Sequence, residues 1–473
     1  MISGVGSGSI ESLLQSYRTL EEQPIRQLET QRSGINNRIS IFNDLKKKLD
    51  ALQSAMKKLS GSGTTSIFGN KISTVSDESY MTVTTTSTAT PTSHTVFISQ
   101  LAKADKIISN QFSLAGTDLA TSLGAGTHSF EISVNGTPQQ VSIDITGEED
   151  NETIINRVVS AVNDTADIGI RASVVNDTDS TARLVFTSKE TGADFEMNLT
   201  DITGTFLANL GMNDSTAMSG NSGGYVYDSS ELNARITVDG ISIERNSNTI
   251  ENAIGGLTLT LQKPHAAGES PATLNVDNDV ESIQKNIEDF VTAYNDVMSF
   301  IQTNTQINTT TYERSALSGD FAVSNLKLQM RTLLTQPVTG LADGSLTMLA
   351  QIGITTDRYG KLSISDSGKL EENLKGNLDQ VSAIFNSADG MATRFVDFLD
   401  SYTSADGIIE KRKSVYQGNI NMINTRISRL EDLVDRKIES YRQQFSQLQA
   451  AYNMYSSQYA SLGSLMQGGF VSY

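Results

Sequence analysis

The sequence contains no cysteine and no tryptophan, and only three histidines and six prolines among its 473 residues. Without cysteine there is no disulfide, no thiolate nucleophile and no Cys-based metal site. His94, His128 and His265 lie far apart in sequence, and surface loops are the expected place for all three rather than a ligand set. No cofactor and no metal are expected. No apolar run approaches the ~20 residues that cross a bilayer, so no membrane insertion is expected either. The first residues, "MISGVGSGSIESLLQSYR", lack the basic start, apolar middle and small-residue cleavage site of a secretory signal, so any export is expected to bypass the Sec route.

Positive charge is also scarce. The net charge is -18, and residues 141–240 alone hold 17 acidic against 5 basic side chains. Such a surface repels phosphate backbones, which excludes nucleic acid as a partner. What is present is enough apolar material, 37% of residues, for packed domains rather than disorder. The length predicts three or four of them.

Helix patterns lie at the ends of the chain and strand patterns in the middle. Leu28, Ile35, Phe42, Leu49 and Met56 recur every seven positions, with Leu45, Leu52 and Leu59 three further on from the last three, the two apolar positions of a heptad. Glycines in "LSGSGTTSIFG" end that pattern. "YMTVTTTSTATPTSHTVFISQLA" then reads as strands turning near Pro91. In "HSFEISVNGTPQQVSIDI" two strands meet at Asn135-Gly136, followed by a helix in "NETIINRVVSAVND" and strands in "IRASVVND" and "RLVFTSKETG". "ARITVDGISIE" places Asp239-Gly240 at a second hairpin turn. "SNTIENAIGG" predicts a short helix stopped by paired glycines, and "LTLTL" a returning strand, so the two stretches read as related α+β units.

The last segment is the most periodic. Ile420, Ile423, Ile427, Leu430 and Val434 step by three and four, Lys437 occupies the next core position, and the register restarts at Ile438 to run through Tyr441, Phe445 and Leu448. That is a stutter, where the helix is expected to change partners. The stripe continues through Tyr452, Tyr455, Tyr459, Leu462 and Met466. Seams of this length more often serve assembly than fold-back. Phe42, Leu45, Leu49, Leu52, Ile427, Leu430, Val434, Tyr441, Phe445, Tyr452, Tyr455 and Tyr459 are therefore the candidate self-association or filament interface.

"GVGSGS" from Gly4, "TVFISQLAKA", "ARITVDGISIERNSNTIENAIGGLTLTL", "VDNDVESIQKNIEDFVTAYND", "LSGD" from Leu317, "IGITTDRYGKLSISDSGKL" from Ile352 and "YRQQFSQLQAAYNMYSSQYASL" follow one another in the order of a known family. The chain resembles the flagellar filament cap proteins, also called flagellar hook-associated protein 2. Gln111 to Thr127 and Asp201 to Ser229 match least. The resemblance implies an α+β multidomain fold in which terminal coiled-coil legs enclose inserted strand-rich head domains. The expected divisions are 1–42 with 434–473 for the leg, 43–70 with 277–433 for a helical domain, 71–115 with 230–276 for a strand-rich head domain, and 116–229 for an inserted outer domain. It further implies a non-catalytic closed ring at the filament tip, of about five copies where four and six also occur in the family, guiding the folding of exported flagellin. Flagellin, hook-filament junction proteins and a flagellar export chaperone are the implied partners, and the flagellar type III apparatus the implied exit. The competing readings are an adhesin binding mucin or glycans through the outer domains, and a glycan hydrolase, which would need two carboxylates fixed about 5 to 10 Å apart.

Overall fold

The heptad face read from Leu28 onward lies on one helix. In the computed structural model, which describes residues 7–467, α1 (Ser7–Glu21) leads into α2 (Gln23–Ser60). Pro24 sits in the first turn of α2, where its missing N–H costs nothing in α2 but cannot continue the ladder of α1. The described chain falls into two compact units, one formed by the residues up to Phe68 together with those from Val280 onward, the other by Gly69–Asp279.

The first unit is helical. Helices Val280–Thr305, Phe321–Thr335, Ser367–Gly376, Leu378–Asn386 and Met391–Thr403 gather around α2, and one 60-residue helix, Ile408–Gln467, closes the chain. Phe42, Leu45, Leu49, Leu52, Met56 and Leu59 are at most 1% exposed and share a core with Ile287, Phe290, Tyr294, Phe395 and Leu399. Each such side chain contributes about 1.5–3 kcal/mol when fully buried. Polar groups within this core are paired. The Tyr294 hydroxyl donates to the Gly360 carbonyl at 3.0 Å, and burial pushes its phenol well above the usual range. The Asn295 amide brackets Leu362, donating to its carbonyl and accepting from its N–H, both at 2.8 Å. The Asp320 carboxylate caps helix Phe321–Thr335 by accepting from Ala322 and Val323.

The second unit is built from antiparallel strands around two cores. In the inner one, strands Lys71–Val75, Ala272–Asn278, Thr92–Gln100, Ala234–Val238 and Ile241–Arg245 form one sheet in that order, and Thr249–Glu251, Leu257–Leu261 and Met81–Thr85 form another. Val96, Ile98, Ile236, Leu259 and Leu274 lie between them. The outer core is covered by sheets that include Gly126–Val134, Thr137–Ile145 and Thr181–Thr191, and by the helix Asn151–Asp164. Ile107 and Phe112 lie in this outer core, so it begins before residue 116. Helical ends flanking strand-rich domains are the architecture expected from the sequence.

Both hairpins stand where Asn-Gly and Asp-Gly place them. Val134 faces Thr137 and Val238 faces Ile241 in register, while Asn135, Gly136, Asp239 and Gly240 all take positive φ, as a two-residue turn matched to strand twist requires. The segment "SNTIENAIGG" is not a helix. Thr249–Glu251 is a strand paired with Leu257–Leu261, and Ile250 is buried opposite Leu259. One apolar residue facing a sheet outweighs the helix propensity of its neighbours. The inner domain thus lacks the helix of the outer one, and the reading of two related units does not hold.

The histidines also depart from expectation. His94 lies on strand Thr92–Gln100 and pairs with Asp239 at 2.6 Å; His128 lies on Gly126–Val134; His265 is in a connection but buried. Stacking accounts for two of them, since His128 lies against Phe206 and His265 against Tyr80.

At the entrance to helix Asn151–Asp164, Glu149 accepts from Arg157 at 2.8 Å and from the Thr146 N–H at 2.9 Å. These bonds, that of Arg157 first, hold its carboxyl at about 2 instead of 4.5. A depressed carboxyl contributes stability that is fully present above its ordinary value and lost as pH falls through about 2. Arg157→Ala is expected to move the Glu149 titration upward, read by NMR of the side-chain carboxyl. A midpoint still near 2 in the variant would contradict the assignment.

Candidate assembly surface

The C-terminal helix runs antiparallel to α2 and then α1. The rungs are Phe42 with Tyr416 at 6.0 Å between rings, Arg32 with Asn424 at 3.1 Å, Arg18 with Asp435 at 2.7 Å, Tyr17 with Tyr441 at 5.3 Å and Arg442 with Glu11 at 3.2 Å. Between them lies a small separate core of Ile25, Leu28, Ile427, Val434 and Ile438, flanked by Ile423, Leu430 and Tyr441. The surface ion pairs add at most about 1 kcal/mol each. Alignment by apolar packing is the main term.

The stutter at Lys437 falls opposite the junction of α1 and α2. Residues 427–434 share their core with Ile25 and Leu28 of α2, whereas Tyr441 and Arg442 meet Tyr17 and Glu11 of α1. Lys437 turns out of the seam to pair with Glu21 at 2.7 Å, which raises its pKa, and Ile438 takes the buried place. The helix therefore changes partners at the stutter without breaking.

These positions divide the expected interface into three groups. Phe42, Leu45, Leu49 and Leu52 lie inside the chain's own helical core and present no surface to a partner, so they are corrected from interface to core. A heptad marks a face that must be covered and does not say by what. Ile427, Val434, Leu430 and Tyr441 cover the chain's own α1 and α2. Phe445 is half-buried beyond them.

The third group is outside. Leu448, Tyr455, Tyr459 and Leu462 are 70, 58, 76 and 57% exposed, and Tyr452 is 46% exposed. The side chain of Met466 lies outside the described residues, as do Met1 to Gly6. α1 begins at Ser7, about one helical turn beyond Glu11, so its described length is used up near Phe445. The helix continues for more than five further turns, with Leu448, Tyr455, Tyr459 and Leu462 mostly exposed along it. No Asp, Glu, Lys, Arg or His follows Arg442 in the chain. The faces beside the stripe carry Ser, Ala, Gly, Gln and Asn, small or uncharged groups that let another helix approach closely.

A chain that pairs its two ends into a helical leg, leaves the leg's tip apolar and uncharged, and carries strand domains between those ends is a structural component of an assembly. The profile of the flagellar hook-associated protein 2 N-terminus matches residues 8–105, and that of its C-terminus residues 232–457, together well over half of the chain. The A-type flagellar hook-associated protein 2 of Pseudomonas aeruginosa is 29% identical over 461 residues, spanning 94% of this chain and 92% of its own. The flagellar hook-associated protein 2 of Escherichia coli strain K12 is 28% identical over 457 residues, spanning 94% and 93%. The crystal structure of the D1-D2-D3 domains of the Escherichia coli flagellar cap protein superposes with a TM-score of 0.62 at 28% identity, covering 80% of this chain and 99% of that one.

The chain belongs to the flagellar hook-associated protein 2 family. It is a flagellar filament cap protein, not an enzyme, placed extracellularly at the filament tip, where it oligomerises and sits on the flagellin filament.

Proposed function

We propose that copies of this chain form a closed ring, of about five by family resemblance, whose legs stand on the filament end and guide the folding of incoming flagellin. The observation that carries this reading is the exposure of Leu448, Tyr455, Tyr459 and Leu462 on a helix stretch without charged side chains. In this reading Tyr452, Tyr455 and Tyr459 pack on neighbouring axial subunits, with Tyr441 and Phe445 at the upper margin of the contact. Tyrosine suits a contact that must be remade as the filament grows, because its ring supplies apolar area while its hydroxyl remains compatible with water. The divisions expected from the sequence then take on roles: the leg contacts the filament, and the helical domain sets the leg.

Export through the flagellar type III apparatus, held by an export chaperone until then, fits the absence of cysteine, since no disulfide could lock a partly folded chain in a narrow channel. Hook-filament junction proteins are the partners before flagellin is added. A strain lacking this chain should shed flagellin monomer into the medium and swim poorly, and the intact chain should restore both. Normal filaments in the deletion strain would overturn the reading.

A further inference from the structure

His265 interrupts the connection between strands Leu257–Leu261 and Ala272–Asn278, the segment "QKPHAAGESP". It is only 7% exposed. Its ring lies between two aromatic rings, Tyr80 at 3.9 Å and nearly parallel at 8°, and Phe97 at 4.8 Å and 28°. It also makes a two-bond clasp to a central strand: its backbone N–H donates to the Ile98 carbonyl at 2.8 Å, and its ring Nδ1 accepts from the Ile98 N–H at 3.0 Å. The side chain thus supplies an acceptor to a strand N–H that would otherwise be buried unpaired.

The second bond fixes the charge state of the ring. An imidazole nitrogen that accepts carries no proton, so the neutral ring must hold its proton on Nε2. Adding a proton to Nδ1 turns an acceptor into a donor facing a donor, and leaves a charged ring in a site with little water. The charged groups near the ring are Asp77 from the turn after Lys71–Val75, and Lys263 and Glu269 from the segment itself; both carboxylates feel the His265 charge. Lys263 lies 5.5 Å over the Tyr80 ring, and Glu269 accepts from the Tyr80 hydroxyl at 3.0 Å and from the Ala266 N–H at 2.7 Å. The two carboxylates favour a charged ring, but they are solvated and screened, whereas the lost bond and the burial act at contact.

We propose that His265 is the pin of a proton-sensitive clasp that holds the 262–271 segment onto strand Thr92–Gln100 when neutral and releases it when protonated. Release uncovers the Tyr80 and Phe97 rings and the Ile98 N–H at the surface of the inner strand domain. In acid the domain is opened locally while its sheets stay paired.

The test is amide hydrogen exchange on the full chain between pH 7.5 and 5.0, corrected for intrinsic exchange. Protection of Ile98 and of residues 263–270 is expected to fall tenfold or more at the lower pH, while protection in helix Val280–Thr305 stays constant. In His265→Asn the side-chain oxygen sits near the place of Nδ1 and cannot titrate in this range, so its protection should be flat with pH. Equal protection of Ile98 at both pH values in the native chain would overturn the proposal, as would the same fall in His265→Asn. Should that variant not fold, NMR of the native chain decides: the Ile98 amide must shift with the midpoint of the His265 ring, and an amide that ignores the ring titration refutes the clasp.

Discussion

Leu45→Asp with Leu49→Asp is expected to unfold the helical unit of this chain rather than merely to loosen its ring. Both leucines are at most 1% exposed, one turn apart on α2, and surrounded by residues of the first unit's core. Replacing a single buried leucine by alanine costs about 2–5 kcal/mol, and placing a carboxylate in the same site adds desolvation of an unpaired charge. Two such changes meet or exceed the whole stability of an ordinary domain, about 5–15 kcal/mol. Circular dichroism should show loss of helix at 25 °C, and proteolysis should cut within α2. The outer strand domain, with its own core, should keep its thermal transition. A chain that retains its helix content and loses only its oligomeric mass would return these leucines to the interface.

Removing Tyr452 to Tyr473 is expected to have the opposite signature, an intact fold and a failed cap. Among the described residues removed, none belongs to the helical core or to the small core between α1, α2 and the C-terminal helix. Melting temperature should change by no more than a few degrees. Swimming should fall to that of the deletion strain, and flagellin should accumulate as monomer in the medium, with the truncated chain itself detected there by blotting. Normal filaments beside an exported, truncated chain would remove the stripe from the assembly surface.

These two outcomes separate residues that look alike in the sequence. Leu49 and Tyr455 both occupy regular apolar positions on long helices, yet one is enclosed and the other is 58% exposed. Periodicity reports that a face is apolar; whether the covering helix comes from the same chain depends on contacts hundreds of residues away. The local signals fared better. Asn135-Gly136 and Asp239-Gly240 set both hairpins because their positive φ values are a local requirement. The stutter at Lys437 was legible because 3.6 and 3.5 residues per turn disagree by a fixed amount, though that it faces the Pro24 junction was not. His265 shows the limit from the other side. A surface loop is the expected place for it and it does lie in a connection between strands, but Tyr80 and Phe97, far from it in sequence, close over the ring.

The uncharged end of the C-terminal helix has a consequence for where such a chain can work. Contacts made by surface charges weaken as salt rises, because ions shorten the reach of each charge to about 10 Å at 0.1 M and about 3 Å at 1 M. After Arg442 there is no formal side-chain charge to screen, and exclusion of strongly hydrated salts from apolar surface tightens such contacts instead. The same lack of charge removes any long-range attraction that would speed encounter, so association by this stripe depends on delivery close to its mate. A contact of this kind does not weaken as salt rises, and relies on being handed its partner at short range.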